Sequence, residues 1–225
     1  MLIAKNPIGT IGLVERTAAT SAFNWSFTTM SVFSQRTLCK DGTVITMDHS
    51  HDSHEGEARN VMIERMNGDW ILLLNDKYLV QPDLLFRLLN LITVTNADVA
   101  VAFHQQDRPP WAPKIFKIVN GTPLHLGGFP NMPIDIDAAS DGPVLIKQSA
   151  AATMIREFNR MPFDPDPPHD GTVSFYRRLL KMKAKVVADP RVNAGAIVTD
   201  GVTLELFDRP GPPPAAVLQE NAATC

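Results

Sequence analysis

Cysteine is scarce in this chain: two residues, Cys39 and Cys225, stand far apart. That excludes a disulfide framework and points to a reducing compartment. Neither sign of charge is in excess, with 21 Lys and Arg against 24 Asp and Glu. A formal charge of −3 leaves no basic footprint for nucleic acid, so no nucleic-acid partner is expected. Long apolar runs are missing as well. Nothing approaches the ~20 residues needed to cross a bilayer, so no membrane span is expected. The opening MLIAKNPIGTIGLVERT lacks the apolar core and small-residue cleavage site of a signal peptide. The expectation is a soluble, cytoplasmic protein without internal repeats.

What is present is enough for a large core. The chain has 225 residues, 44% of them hydrophobic, and a chain of this size buries roughly 70–75% of its unfolded surface. Short apolar strands alternate with helical patterns, which predicts an α/β domain with a mostly parallel, twisted sheet flanked by helices. TIGLVE (10–15), TVITMD (43–48), WILLL (70–74), ADVAVAF (97–103), KIFKIV (114–119), PVLIK (143–147) and KVVADP (185–190) read as strands, the last stopped by its proline.

The helical segments carry spaced apolar residues. Phe23, Phe27, Met30 and Phe33 mark one helix face, and residues 55–66 form a second helix with acidic residues at its start. Pro82 suits a first helical position ahead of Leu84, Leu85, Leu88, Leu89 and Ile92. Ser149 is placed as the N-cap of a helix over 149–160. Residues 171–183 put Val173, Tyr176, Leu179 and Leu180 on one face. The Gly/Pro-rich stretch 120–143 is not regular throughout and suits a lid or acceptor loop. The domain is expected to span 1–204, with a Pro-rich, mobile tail over 205–225.

Four local signals could carry chemistry. DHSHDSHEGE gathers His49, His51 and His54, but its spacing matches no closed metal site, and a solvated polar loop is the favoured reading. Asn75-Asp76-Lys77 closes an apolar strand, where ligands of parallel α/β sheets bind. Taken locally, it is also an ordinary strand-to-helix turn. His169-Asp170 follows a proline-rich loop and precedes a helix. Asp170 is there either a plain cap or a carboxylate placed to take a proton. Arg59 and Asn60 open a helix, as surface residues or facing a phosphate.

The order of these signals carries more than any one of them. ARN (58–60), GDWILLLNDK (68–77) and PDLLFRLL (82–89) resemble the nucleotide-binding half of family 2-like glycosyltransferases with the GT-A fold, of the inverting type. IDIDAASDGPVLIKQSA (134–150) and HDGTVSFYRRLLKMKAKVVADPRVNAGAI (169–197) are similar to that family's second half. The resemblance implies a single GT-A-like domain that moves a sugar from a nucleotide-diphosphate donor, UDP- or GDP-linked, to an acceptor hydroxyl of unknown identity. It implies Asp170 as catalytic base, with Arg59, Asn75, Asp76 and Lys77 at the nucleotide and diphosphate. Trp111, Asp141, Gly142 and His169 fall in its acceptor or substrate loops, where Trp111 offers a stacking face and Arg108 a further cation.

The departures from the family pattern cluster on the metal. An Asp-x-Asp strand end appears as Asn75-Asp76-Lys77, and the histidine of Gly-His-Ile is Ala196. His169 replaces the Glu that normally precedes the base. Mg²⁺ and Mn²⁺ want hard carboxylate oxygens. The usual ligands of such an ion being absent, no cofactor and no metal ligand is assigned. Lys77 instead puts a permanent positive charge where that cation would sit, and an ammonium binds phosphate as a point charge. The leading reading is therefore a metal-independent glycosyltransferase. A catalytically inactive relative serving as a binding or scaffold protein is the alternative. A nucleotidyltransferase is a weaker third reading, because ERTAATSAF supplies no basic glycine-rich loop.

Overall fold

The computed structural model describes residues 6–15, 19–50, 54–104, 113–119, 122–126 and 132–196. The expected tail, together with Trp111, Arg108 and His51, lies outside the described residues.

WILLL behaves as a continuously apolar run should: every residue of β3 (Trp70–Asn75) is buried, which requires cover on both faces. Trp70, Leu72 and Leu74 join one core cluster and Ile71 and Leu73 the other, the period of two expected of a strand. On the first face lie α1 (Ser21–Leu38) and α3 (Leu84–Thr95), contributing Phe23, Met30, Leu84 and Leu88. On the second lie α2 (Glu55–Glu64), α4 (Gln148–Phe158) and α5 (Gly171–Lys181), contributing Met62, Met154, Phe175 and Leu179.

Around β3 the sheet is assembled from β1 (Asn6–Val14), β2 (Thr43–Ser50), β4 (Tyr78–Val80), β5 (Val99–Phe103), β10 (Val144–Lys147) and β11 (Val186–Ala196). The order is β2-β1-β3-β10-β5-β11-β4, with β8 (Ile134–Ile136) beside β11. β1, β2 and β3 are parallel, as are β5 and β11, while β10 runs antiparallel between β3 and β5. The chain leaves β1 to one side for β2 and returns to the other side for β3. The carboxyl ends of β1 and β3 therefore flank a topological switch point, and Val14 pairs with Asn75 there. A small second sheet joins β6 (Ile115–Val119), β7 (Thr122–His125) and β9 (Ala138–Ala139).

Several expectations need correction. The stretch 120–143, read as a lid or acceptor loop, contributes β7, β8 and β9 to the sheets among its described residues. Pro82 precedes α3, which begins at Leu84 after Asp83, and Leu89 is only half-buried, with Leu91 completing the stripe. Ser149 lies inside α4, whose N-cap is Lys147. Phe33 is 37% exposed; Ser31 and Ser34 turn inward instead. Val173 and Leu180 of α5 face outward while Phe175 and Arg178 are buried. Pro190 does not stop β11: a register shift between Asp189 and Asn193 absorbs it, and Arg191 grips Asp189 at 2.6 Å across the irregularity.

Candidate active site

The end of β3 is a tight turn built by its own amide. Asn75 Oδ1 accepts from the Lys77 backbone N–H at 3.0 Å, and Asn75 Nδ2 donates to the Asp141 carbonyl at 3.3 Å. This turn buries Asp76 to 5% exposure and throws Lys77 outward. The Lys77 ammonium pairs with no carboxylate among the described residues. The chain then pairs at once as β4, with Tyr78 opposite Ala196 and Leu79 opposite Gly195. The two places where the family pattern is broken, residues 75–77 and 196, are thus neighbours in space.

Beside this turn stands His104, the first residue past β5 and 1% exposed. Its ring lies edge-on to Tyr78, with Nδ1 at 3.2 Å from the Ala102 carbonyl and Nε2 at 3.3 Å from Ser140 Oγ. Gly142 leaves room for it; a Cβ there would stand 2.4 Å from the imidazole. Burial, with help from the charges of Lys114 and Arg59, pulls the His104 pKa down to about 4, so the ring is neutral at pH 7. Its place at the strand end makes it a polar wall of the site. Local sequence gave no hint beyond a lone polar residue closing VAVAF.

The third side is made by two helix starts. Gly56 and Gly171 abut: a Cβ on Gly171 would lie 2.3 Å from the Phe163 carbonyl and 3.5 Å from Gly56 Cα. At Gly171 only hydrogen fits under the Phe163 carbonyl, while a Cβ on Gly56 would be tight at 3.0 Å from the same oxygen; the starts of α2 and α5, with their positive ends, thus meet around Phe163. Asn60 fixes the arrangement, donating to Asp164 at 2.8 Å and accepting from the Phe163 N–H at 2.8 Å. Arg178 supports it from below, 1% exposed, donating to the carbonyls of Met161 and Pro162 at 3.1 and 2.9 Å. Asn60 is therefore a structural clamp.

Asp170 caps α5: its Oδ1 accepts from the Val173 N–H at 2.8 Å, while the carboxylate stays exposed. Within the first turn, Thr172 Oγ1 makes a long contact of 3.5 Å to Asp141 Oδ1. Asp141 therefore joins the two halves, holding Asn75 through its carbonyl and Thr172 through its carboxylate. Arg59 is 4% exposed, its guanidinium 2.5 Å from Glu55 and over the Phe163 ring. Burial also raises the Tyr176 hydroxyl's pKa, with the Arg59 charge acting against it.

Asn75, Asp76, Lys77, Asp141 and Gly142 thus lie at the carboxyl end of β3, linked through Asp141 to the helix start that Asp170 caps, with Arg59 buried behind it. His169 faces the other way, where Arg177 donates to its Nε2. His49 belongs to β2, and His54, before α2, lies 3.7 Å from Glu57 at the surface. Thr172, Tyr176 and Arg178 are contributors that sequence reasoning missed. At the strand end the donor set is one buried carboxylate, an amide with both ends engaged, and a cation. That set holds a single carboxylate, where a hard divalent ion prefers several carboxylate oxygens. Among the described residues no three His, Cys, Asp or Glu side chains gather in a way that could hold a metal.

The strand order, the switch point and the helices on both faces define a GT-A-like glycosyltransferase fold. Among solved structures, the chain is similar to the crystal structure of S. aureus TarS 1-349 in complex with UDP-GlcNAc. The TM-score is 0.50 at 11% identity, over 86% of this chain and 59% of that one. A second crystal structure of S. aureus TarS 1-349 gives a TM-score of 0.49 at 11% identity, over 83% and 60%. The chain spans about three-fifths of the length of these neighbours. No protein-family model and no curated protein sequence matches it. Among the described residues, no helix is long and apolar enough to cross a membrane.

Proposed function

We propose that this protein transfers a sugar from a nucleotide-diphosphate donor to an acceptor hydroxyl by single displacement, without a metal ion. Asp170 takes the acceptor proton as that oxygen attacks the anomeric carbon. The bond from that carbon to the diphosphate oxygen breaks, and Lys77 stabilises the departing charge. One observation carries the reading: Asp141 ties the Lys77 turn to the first turn of α5, so an exposed cation and an exposed carboxylate stand on linked segments beyond the carboxyl end of β3. A well-placed charged donor in a transition state is worth roughly 3–4 kcal/mol. That is the scale on which a lysine could replace part of an ion's contribution.

The likeness to TarS 1-349, crystallised with UDP-GlcNAc, supports a UDP-linked donor as the first to test. The test is release of nucleotide diphosphate from a panel of UDP- and GDP-linked sugars, with binding measured in parallel. Turnover of at least one donor is the expected result. Binding without turnover of any donor would favour the inactive binding protein, a reading that the replacement of both metal-site positions supports. No binding of any donor would remove the transferase.

A further inference from the structure

A second basic region lies on the other side of Asp170. A cavity of about 370 Å³ opens along the outer face of α5, lined by Arg160, Arg177, Lys181, His169, Phe158 and the loop through Asp166. Its charge is unbalanced. Asp166 is shared by two arginines, 3.0 Å from Arg160 and 2.9 Å from Arg178, and Arg178 is already committed to two carbonyls. Arg177 and Lys181 are exposed and pair with no carboxylate among the described residues. The Lys181 ammonium sits 6.0 Å above the Phe158 ring, which holds it over the cavity without neutralising it. The crowding of positive charge is visible at Asp166. Burial opposes its ionisation, yet Arg178, Arg160 and Lys181 hold its carboxyl below the usual range.

His169 adds a ring nitrogen to the lining. Arg177 lies against His169 Nε2, and because a guanidinium only donates, that nitrogen is the acceptor and Nδ1 is left to face a ligand. The cavity thus presents a fork, an ammonium and an imidazole N–H, a set matched to the several oxygens of a phosphate. A carboxylate brings one charge and two acceptor oxygens, whereas a phosphate monoester brings up to two charges and three, closer to the two cations that lack an acidic partner. Position gives the site its role. His169 is the neighbour of Asp170 in sequence, and Arg177 lies seven residues further along α5, about 10 Å by helical rise. Lys77 reaches the same helix start from the opposite side, through Asp141 and Thr172.

We propose that this cavity binds a phosphate group carried by the acceptor, holding the molecule while its hydroxyl meets Asp170; this rests on the transferase reading above. The donor diphosphate and the acceptor phosphate then occupy separate basic regions on either side of Asp170.

The test uses the full chain and calorimetric titration with inorganic phosphate, glycerol phosphate and acetate, with UDP-GlcNAc as the donor-site control. Arg177 and Lys181 are surface residues, so Arg177→Gln, Lys181→Gln and the double variant leave the core intact. Phosphate and glycerol phosphate should bind the wild type, and the double variant should lose about tenfold or more in affinity. UDP-GlcNAc affinity should stay within about twofold, since no donor contact is removed. Unchanged phosphate affinity in the double variant would overturn the site. Acetate binding as tightly as phosphate would overturn the ligand class, and a parallel loss of UDP-GlcNAc would place the cavity in the donor site. If the wild type binds phosphate through these residues but ignores every nucleotide sugar, the anion cavity stands and the acceptor role falls with the transferase.

Discussion

Replacing Asp170 separates two jobs that one side chain performs. As N-cap it satisfies the Val173 N–H at 2.8 Å, and as proposed base it must carry a negative charge. Asparagine keeps the capping oxygen and loses the charge. Alanine loses both. Removal of a capping oxygen costs about 1 kcal/mol, whereas an Asp-to-Asn exchange at an N-cap is close to neutral apart from ~0.3–1 kcal/mol of helix-dipole interaction at an exposed site. Loss of a general base costs about 10²–10⁴ in rate, roughly 3–5 kcal/mol of barrier. Asp170→Asn should therefore unfold within ~1 kcal/mol of the wild type in urea, yet release UDP from UDP-GlcNAc at least about a hundredfold more slowly. Donor affinity should be unchanged in both variants, because the base acts on the acceptor. Asp170→Ala should add the lost cap on top of the same rate loss. An Asp170→Asn protein that turns over within about threefold of wild type would refute the assignment of the base.

Three further expectations follow from the packing. Gly171→Ala should destabilise by about 1–3 kcal/mol in urea, because the new methyl meets the Phe163 backbone oxygen at 2.3 Å. Helix propensity alone would give a gain of up to ~1 kcal/mol, so a stabilised variant would contradict the close approach of the Phe163 carbonyl to Gly171. Asn60→Ala removes both ends of a buried clamp and leaves the Phe163 N–H without its partner, which should cost roughly 2–4 kcal/mol. Urea midpoints read this directly, and a loss under ~0.5 kcal/mol would remove Asn60 from the framework.

The His104 pKa is depressed in the folded chain to about 4 against an ordinary value of 6.5, so the unfolded chain binds more protons between those values. The stability its neutral ring confers is present above pH 6.5 and is lost as pH falls towards 4. Wild type should therefore lose more stability than His104→Asn over that window, by up to about 3 kcal/mol, in urea titrations at matched pH values. Identical pH dependence would contradict it.

Much of the framework was legible because its physics is local. WILLL and VAVAF are continuous apolar runs that fit only a doubly covered sheet, and both are central strands. Asp170 was legible as a cap because the contact is local, reaching only to the N–H three residues on. β4 was not, since three residues after a turn become a strand only when β11 arrives from far along the sequence. The α5 face was misjudged for a similar reason. Periodicity ranks Val173 and Leu180 above an arginine, but Arg178 is drawn inside by the carbonyls of Met161 and Pro162. His104 carries no local mark at all; its role comes from Tyr78, Ser140 and Gly142, each set by a different element. Lys77 was visible as an oddity, but its closeness to residue 196 required the sheet.

The central claim is that a lysine serves the diphosphate in place of a metal. The most direct measurement is calorimetric binding of UDP to the full chain in EDTA and in manganese, for wild type and Lys77→Met. The expected result is wild-type affinity that is equal in the two buffers and falls about tenfold or more in Lys77→Met. Binding that EDTA abolishes, or that Lys77→Met leaves unchanged, would contradict it.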